Sequence, residues 1–143
     1  MNDVSEFYIH IFHLFTRLNQ DVEKILNDLN YDLSFSQYTL LAFISTQKEH
    51  RISQKQLNEW SSLRGPSISQ LLKVLEEKEY IHRYLMSRDS RCKEMILTDK
   101  ALRHLKEIDK KMKMQLLQKM TKEELSSSVL SLQFIKEDIE REE

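Results

Sequence analysis

The fold is decided by residues 61–78, which read SSLRGPSISQLLKVLEEK. At 100° per residue, the apolar side chains of this stretch cluster on one face of a helix, and the polar ones lie opposite or beside them. The apolar set is Ile68, Leu71, Leu72 and Leu75, and the polar set is Gln70 and Lys73 with Ser67 and Ser69 on the flanks. The pattern predicts a helix that packs one face on a core and presents the other outward.

The start of this helix is marked by Gly65 and Pro66, the only glycine and the only proline of a 143-residue chain. Pro66 suits the first helical position, because its missing N–H is not needed there, and Gly65 suits the cap or a positive φ angle. Average usage would give roughly ten glycines and seven prolines. Turn-rich sandwiches, barrels and glycine-rich phosphate loops are therefore excluded, and the chain is expected to be mainly helical.

Four other helix starts carry one common signal, a capping serine or threonine with an apolar residue before it and another five positions later. They are Ser34, Ser53, Thr98 and Thr121. Long apolar patterns at three- and four-residue steps run from Phe7 to Leu29, from Leu102 to Leu116 and from Leu125 to Ile139. Long helices at both ends of the chain therefore enclose shorter elements.

Residues 80–98 change to a period of two. YIHRYLMS and CKEMILT alternate and are rich in aromatic and β-branched side chains, with a polar, charged turn at residues 87–91 between them. This pattern predicts a two-stranded hairpin with a long loop. Helix, short helix, turn, helix and hairpin is the order of a winged helix-turn-helix, so the fold class is mainly α (α+β).

The charge distribution favours an anionic partner for the middle of the chain. Residues 51–113 carry 15 basic and 9 acidic side chains, whereas both ends are acidic. In a major groove, Gln70 can pair with an adenine edge and Lys73 with a guanine or a phosphate. Ser67 and Ser69 are small enough for close approach, and Arg64 precedes them. An ordinary amphipathic helix with a solvated face would show a similar pattern.

The hairpin tip strengthens the DNA-binding interpretation. Arg88 and Arg91 lie where a side chain could reach the negative potential of a narrow minor groove. Asp89 would repel phosphate on its own, so its expected role is to pair with Arg91 and hold the guanidinium. A turn with random charges is the alternative.

The segments GPSISQLLKVLEEKEYIHRY and DSRCKEMILT, together with the order of elements, resemble the MarR family of winged-helix transcription regulators, and in particular its repressors of multidrug-efflux genes. The resemblance implies a single domain over residues 1–143. Residues 34–97 would form the DNA-binding lobe, and residues 1–33 and 98–143 the helices of a homodimer. It also implies that Ser67, Ser69, Gln70 and Lys73 read the major groove and that Arg91 enters the minor groove.

Members of that family commonly bind small aromatic or lipophilic effectors in a cleft between the dimer helices and the DNA-binding lobe. His10 and Arg17 share one flank of the first apolar face and could line such a cleft, and Trp60 could stack on a ligand. A solvated flank for the first two, and packing within the lobe for Trp60, are the alternatives.

Other functions find little support. No nucleophile, base and orienting group occur in a recognisable set, so the chain is not expected to be an enzyme, and no cofactor is expected. Cys92, the only cysteine, cannot form an internal disulfide, and without a signal or membrane segment the sequence predicts a cytoplasmic protein. Two alternatives stay open. They are a helical dimer that acts through protein partners without binding DNA, and a repressor that senses oxidants or metal through Cys92 or through His10 and His13.

Overall fold

A computed structural model of the chain describes residues 2–61, 65–85 and 93–141. Within these ranges the chain forms helices α1 (Asp3–Asp28), α2 (Phe35–Ser45), α3 (Gln54–Trp60), α4 (Gly65–Glu77), α5 (Asp99–Leu117) and α6 (Lys122–Glu140). Strands β1 (Arg51–Ser53), β2 (Ile81–Leu85) and β3 (Lys93–Leu97) complete the fold, and a short 3₁₀ turn at Lys48–His50 precedes β1. The predicted winged helix-turn-helix fold, mainly helical with a small sheet, is confirmed.

The predicted helix starts are confirmed by their hydrogen bonds. Ser34, Ser53 and Thr121 each accept a backbone N–H from the third helical residue, whose side chain bonds back to complete a capping box. Thr98 Oγ1 accepts the N–H of Ala101 at 3.2 Å. The first helix has a cap that the sequence pattern did not indicate, because Asn2 Oδ1 accepts the N–H of Ser5 at 2.9 Å. Five of the helices therefore begin where side chains satisfy exposed N–H groups.

The predicted two-stranded hairpin is confirmed, and a strand that the sequence did not indicate joins it: the described chain has a three-stranded antiparallel sheet in the order β1-β3-β2. The hairpin itself is present, with Ile81 opposite Leu97 and Leu85 opposite Lys93. Strand β1, the strand that the sequence did not indicate, has only three residues, which is too short for an alternating pattern to be visible in the sequence. It is held in place because Ile52, opposite Met95, is buried with it in the core.

The main core lies between the short helices and one face of the sheet. Its completely buried side chains come from α2, α3, α4 and β3, and they are Leu41, Ile44, Leu57, Ile68, Leu72, Leu75 and Met95. The predicted apolar face of residues 65–77 is thus the face that packs inward. Helix α4 begins at Gly65, one residue earlier than predicted, so Pro66 is its second residue and still lies in the first turn, where no N–H is required.

The chain divides into two compact units, one ending at Ile108 and the other beginning at Asp109. In the first unit, α1 buries only Val22, Ile25 and Leu26, which lie near its C-terminal end. In the second, α6 buries none of its side chains. The predicted boundary between a lobe at residues 34–97 and helical regions at 1–33 and 98–143 stays a prediction.

Candidate nucleic-acid interface

Helix α4 presents polar side chains on the face that points away from the core. Ser67, Gln70 and Lys73 are exposed, and Ser69 is half-buried. On the opposite face Ile68 and Leu72 are completely buried, so the helix cannot rotate to hide the polar side chains. The predicted polar face is therefore available to a partner over about two helical turns.

Ser69 is half-buried because it bonds to a neighbouring helix. Gln54, the first residue of α3, donates a hydrogen bond from Nε2 to Ser69 Oγ at 3.1 Å. The sequence pattern predicted a site residue at Ser69 but none at Gln54. Gln54 lies in the first turn of α3 together with Gln56, whose side chain caps the helix. The spacing of these two glutamines gives no indication that one of them bonds to α4.

Four of the predicted DNA contacts, Arg64, Arg88, Asp89 and Arg91, lie outside the described residues, as does Cys92. The strands that flank the predicted wing are described. Leu85 ends β2, Lys93 begins β3, and the two are register partners.

A polar cluster at the sheet joins all three strands. Glu94 is only 8% exposed, and its Oε1 accepts a hydrogen bond from the Tyr84 hydroxyl at 2.8 Å. Arg51 Nε lies 3.7 Å from the same oxygen and 3.3 Å from Glu49 Oε2. Burial and the bond to the Glu94 carboxylate raise the pKa of Tyr84. The charge of Glu94 is therefore compensated, and the cluster links β1 and β2 to the strand that follows the predicted wing.

A second cluster joins the segment after α1 and the turn after α4 to the first half of α5. The ring of His104 stacks on Tyr31 with centroids 3.8 Å apart, and its Nδ1 lies 2.9 Å from the hydroxyl of the buried Tyr80. Lys100 lies over the Tyr80 ring and donates to the carbonyl of Lys78 at 2.7 Å. This aromatic corner, defined by Tyr31, Tyr80 and His104, connects the end of α1, the turn after α4 and α5.

The corner opens onto a groove of about 400 Å³. Lys78 crosses it, donating from Nζ to the Asp32 carbonyl at 2.9 Å and to Gln37 Oε1 at 3.1 Å. Burial, followed by the charges of Lys100 and Arg103, lowers the pKa of His104. Burial also raises the pKa of Tyr80. Burial therefore favours the neutral form of the His104 ring, whose Nδ1 lies at hydrogen-bond distance from the Tyr80 hydroxyl.

The aromatic corner should make stability depend on pH. The pKa of His104 is lower in the folded chain than its ordinary value of 6.5, so below pH 6.5 the unfolded chain binds a proton first and the free energy of unfolding falls. The contribution is complete above pH 6.5. Urea unfolding between about pH 5 and 7.5 should show a shallower pH dependence for His104→Gln than for the unaltered chain. Equal slopes for His104→Gln and the unaltered chain would contradict the assignment.

The residues predicted to line an effector cleft have neighbours of their own. Arg17 pairs with Asp21 at 3.0 Å on the surface of α1, where His10 is also exposed. Trp60 stacks face to face on Phe43, with ring centroids 3.8 Å apart. Among the described residues no hydrogen bond, ion pair or ring contact joins these three, and the effector role stays a prediction.

Neither a metal-binding cluster nor a membrane-spanning helix occurs in the described part of the chain. Within residues 2–61, 65–85 and 93–141, no group of three or more histidine, cysteine or acidic side chains could hold a metal ion. The helices in these ranges include none with the length and apolar content needed to cross a bilayer.

Solved structures share this fold along almost the whole chain. The S. aureus MepR–DNA complex is 22% identical, with a TM-score of 0.71, and the match covers 93% of this chain and 98% of that one. Sco3205 from Streptomyces coelicolor, a MarR-family regulator solved in complex with DNA, is 17% identical with a TM-score of 0.76 over 96% of this chain and 88% of that one. AbsC from the same organism is 17% identical with a TM-score of 0.74, over 97% and 96%.

The sequence comparison points the same way. Residues 31–91 match the sequence model of the MarR family, and this range contains α2, α3, α4 and β2. Among proteins with curated descriptions, none matches the chain by sequence. Together with the order of elements and the capped short helices, the match confirms the predicted resemblance to the MarR family of winged-helix transcriptional regulators, over residues 31–91 by sequence and over almost the whole chain by fold.

Proposed function

We propose that the protein binds a specific DNA operator through α4 and acts as a repressor. The observation that carries the proposal is the polar face of α4, where Ser67, Gln70 and Lys73 are exposed while the opposite face is completely buried. A helix held in this way can enter a major groove without losing core contacts. Gln70 would pair with an adenine edge, and Lys73 would contact a guanine or a phosphate.

The wing would supply the second set of contacts. Arg91, oriented by Asp89, would enter the minor groove, and Arg88 and Arg64 would contact the backbone nearby. Support comes from the register of β2 and β3, which places the ends of the predicted wing on paired residues. Two of the structures that share the fold, those of MepR and Sco3205, were solved as complexes with DNA.

The exposed apolar side chains support a homodimer. About six turns of helix, counted over α1 and α6, carry large apolar residues that the single chain leaves uncovered, and exposed apolar surface on this scale marks interaction sites. In α1 they include Phe7, Tyr8, Ile11, Phe12, Leu14, Phe15 and Leu18, and in α6 they include Val129, Leu130, Leu132, Phe134 and Ile139. A two-fold dimer that covers these surfaces would place two recognition helices one DNA turn apart, ~34–36 Å, and would match a pseudo-palindromic operator.

A charge placed on the exposed face of α1 should dissociate the dimer. Leu14 is 57% exposed in the single chain, so Leu14→Glu removes little core packing within the protomer but would bury a carboxylate in the dimer. Sedimentation equilibrium should show a largely monomeric variant, whereas Gln20→Glu on the polar side of the same helix should stay dimeric. An undisturbed Leu14→Glu dimer would mean that this face is not the interface.

A ligand response is the finer part of the proposal. The family resemblance supports a small aromatic or lipophilic effector. Its binding would favour dimers in which the distance between the two DNA-binding lobes does not fit the operator. His10, Arg17 and Trp60 are the proposed effector contacts. Efflux genes are the proposed targets, and this is supported by the resemblance to multidrug-efflux repressors and by the shared fold of a MepR mutant from a multidrug-resistant S. aureus clinical isolate.

The experiment that tests the proposal is selection from a random pool of DNA duplexes. The unaltered protein should enrich a two-fold symmetric sequence whose half-sites lie about one helical turn apart. If no DNA sequence is enriched, and a separate binding assay with purified candidate proteins identifies a specific partner, the alternative of a dimer that acts without DNA would be favoured.

A further inference from the structure

A hydrogen bond between Gln54 and Ser69 connects the two helices of the helix-turn-helix. Both side chains are half-buried, with Gln54 at the first position of α3 and Ser69 at the fifth residue of α4. Their 3.1 Å bond is only partly buried and connects positions 15 residues apart. The core already fixes the two helices through Leu57, Ile68 and Leu72, which are completely buried.

The direction of the bond determines what Ser69 can offer to a partner. A serine hydroxyl has one hydrogen and two lone pairs, and a glutamine Nε2 can only donate. Gln54 therefore occupies a lone pair of Ser69, and in this arrangement the hydroxyl acts as a donor toward any further partner. When a helix lies in the major groove, DNA presents two kinds of acceptor to its side chains, phosphate oxygens and the acceptor atoms of base edges.

We propose that Gln54 is a positioning residue for DNA recognition, which holds the Ser69 hydroxyl as a hydrogen-bond donor toward an acceptor on the operator. The inference rests on the proposed function, because it names how one residue of the α4 face is prepared for DNA. Gln54 need not touch DNA for this role. Its effect passes through Ser69, so the two residues should act on operator affinity as a unit.

Gln56 provides a matched control in the same helical turn. It is two residues from Gln54, but its side chain bonds back to the N-cap, with Oε1 3.1 Å from the Ser53 N–H. Removing the Gln56 amide should weaken the start of α3 without touching Ser69. A purely structural effect on α3 would therefore appear in both glutamine variants, whereas positioning of Ser69 would appear in only one.

The test is a double-mutant cycle measured on the operator selected from the random pool and on a shuffled duplex, at fixed salt. Gln54→Met keeps the volume of the side chain and removes its donor. We expect Gln54→Met and Ser69→Ala each to weaken operator binding about three- to tenfold, and the double variant to be no weaker than the stronger single variant. Binding to the shuffled duplex should change much less. The pair Gln56→Met and Ser69→Ala should be additive.

The possible outcomes distinguish failure of the positioning role of Gln54 from failure of the proposed DNA-binding function. Additive losses for Gln54 and Ser69 on an operator that the unaltered chain binds specifically would overturn the positioning role and leave the proposed function standing. Equal losses on operator and shuffled DNA would also overturn it, because they would indicate only a disturbed lobe. Absence of specific binding by the unaltered chain would overturn the proposed function and this inference together.

Discussion

Replacing Gln70 with alanine should reduce affinity for the operator about 5- to 150-fold, which corresponds to the 1–3 kcal/mol that a bidentate base contact provides. Gln70 is exposed on α4, two residues before the completely buried Leu72, so its loss removes a DNA contact and no core packing. The free energy of unfolding should stay within about 0.5 kcal/mol of the unaltered value. Fluorescence anisotropy on operator and shuffled duplexes at one salt concentration measures the effect.

Lys73→Ala provides the contrast on the same face. If Lys73 contacts a phosphate, its removal should weaken binding to both duplexes alike and reduce the salt slope by about 1. Gln20→Ala, the same kind of change on an exposed position of α1, should alter neither quantity. Equal losses for Gln70→Ala on operator and shuffled DNA would show that Gln70 does not read a base.

The second large effect is expected in the core beneath α4. Leu72 is 0% exposed, and Leu72→Ala should lower the free energy of unfolding by about 2–5 kcal/mol, since the cavity it leaves can collapse only in part. That loss is a large fraction of the ~5–15 kcal/mol by which domains of this size are stable. Urea unfolding at one fixed protein concentration is the measurement, because dimerisation would make stability depend on concentration.

Leu71→Ala is the matched variant. Leu71 neighbours Leu72 but is only half-buried, so the same substitution should cost clearly less. Similar losses at the two positions would mean that α4 does not bury the face that the structure describes.

Much of the fold was predictable because its signals are local. The capping serines and threonines lie next to the helices they start, and the four apolar residues of α4 recur at helical spacing. Strand β1 was missed because its three residues, RIS, carry no period, and its place is decided by pairing with β3, more than 40 residues later. Pairing over that distance depends on tertiary packing, which the sequence pattern does not display.

The exposed residues of the candidate site were predictable from the sequence, but the contacts between its elements were not. Exposure of Ser67, Gln70 and Lys73 follows from the helical period alone. The partner of Ser69 does not, because Gln54 reaches it across the helix-turn-helix, and neither spacing nor composition marks that contact. The stacking of His104 on Tyr31 is likewise a contact between distant segments, although each residue occupies an ordinary position in its own element.

Whether α4 reads DNA is decided by one titration of the unaltered protein. Affinities for the selected operator and for a shuffled duplex are measured between about 50 and 200 mM salt, where phosphate contacts make log K fall linearly with log salt concentration. The expected result is a negative slope on both duplexes and an operator preference of about 10³-fold or more. Equal affinity for the two duplexes, or binding without salt dependence, would contradict the assignment of α4 as a recognition helix.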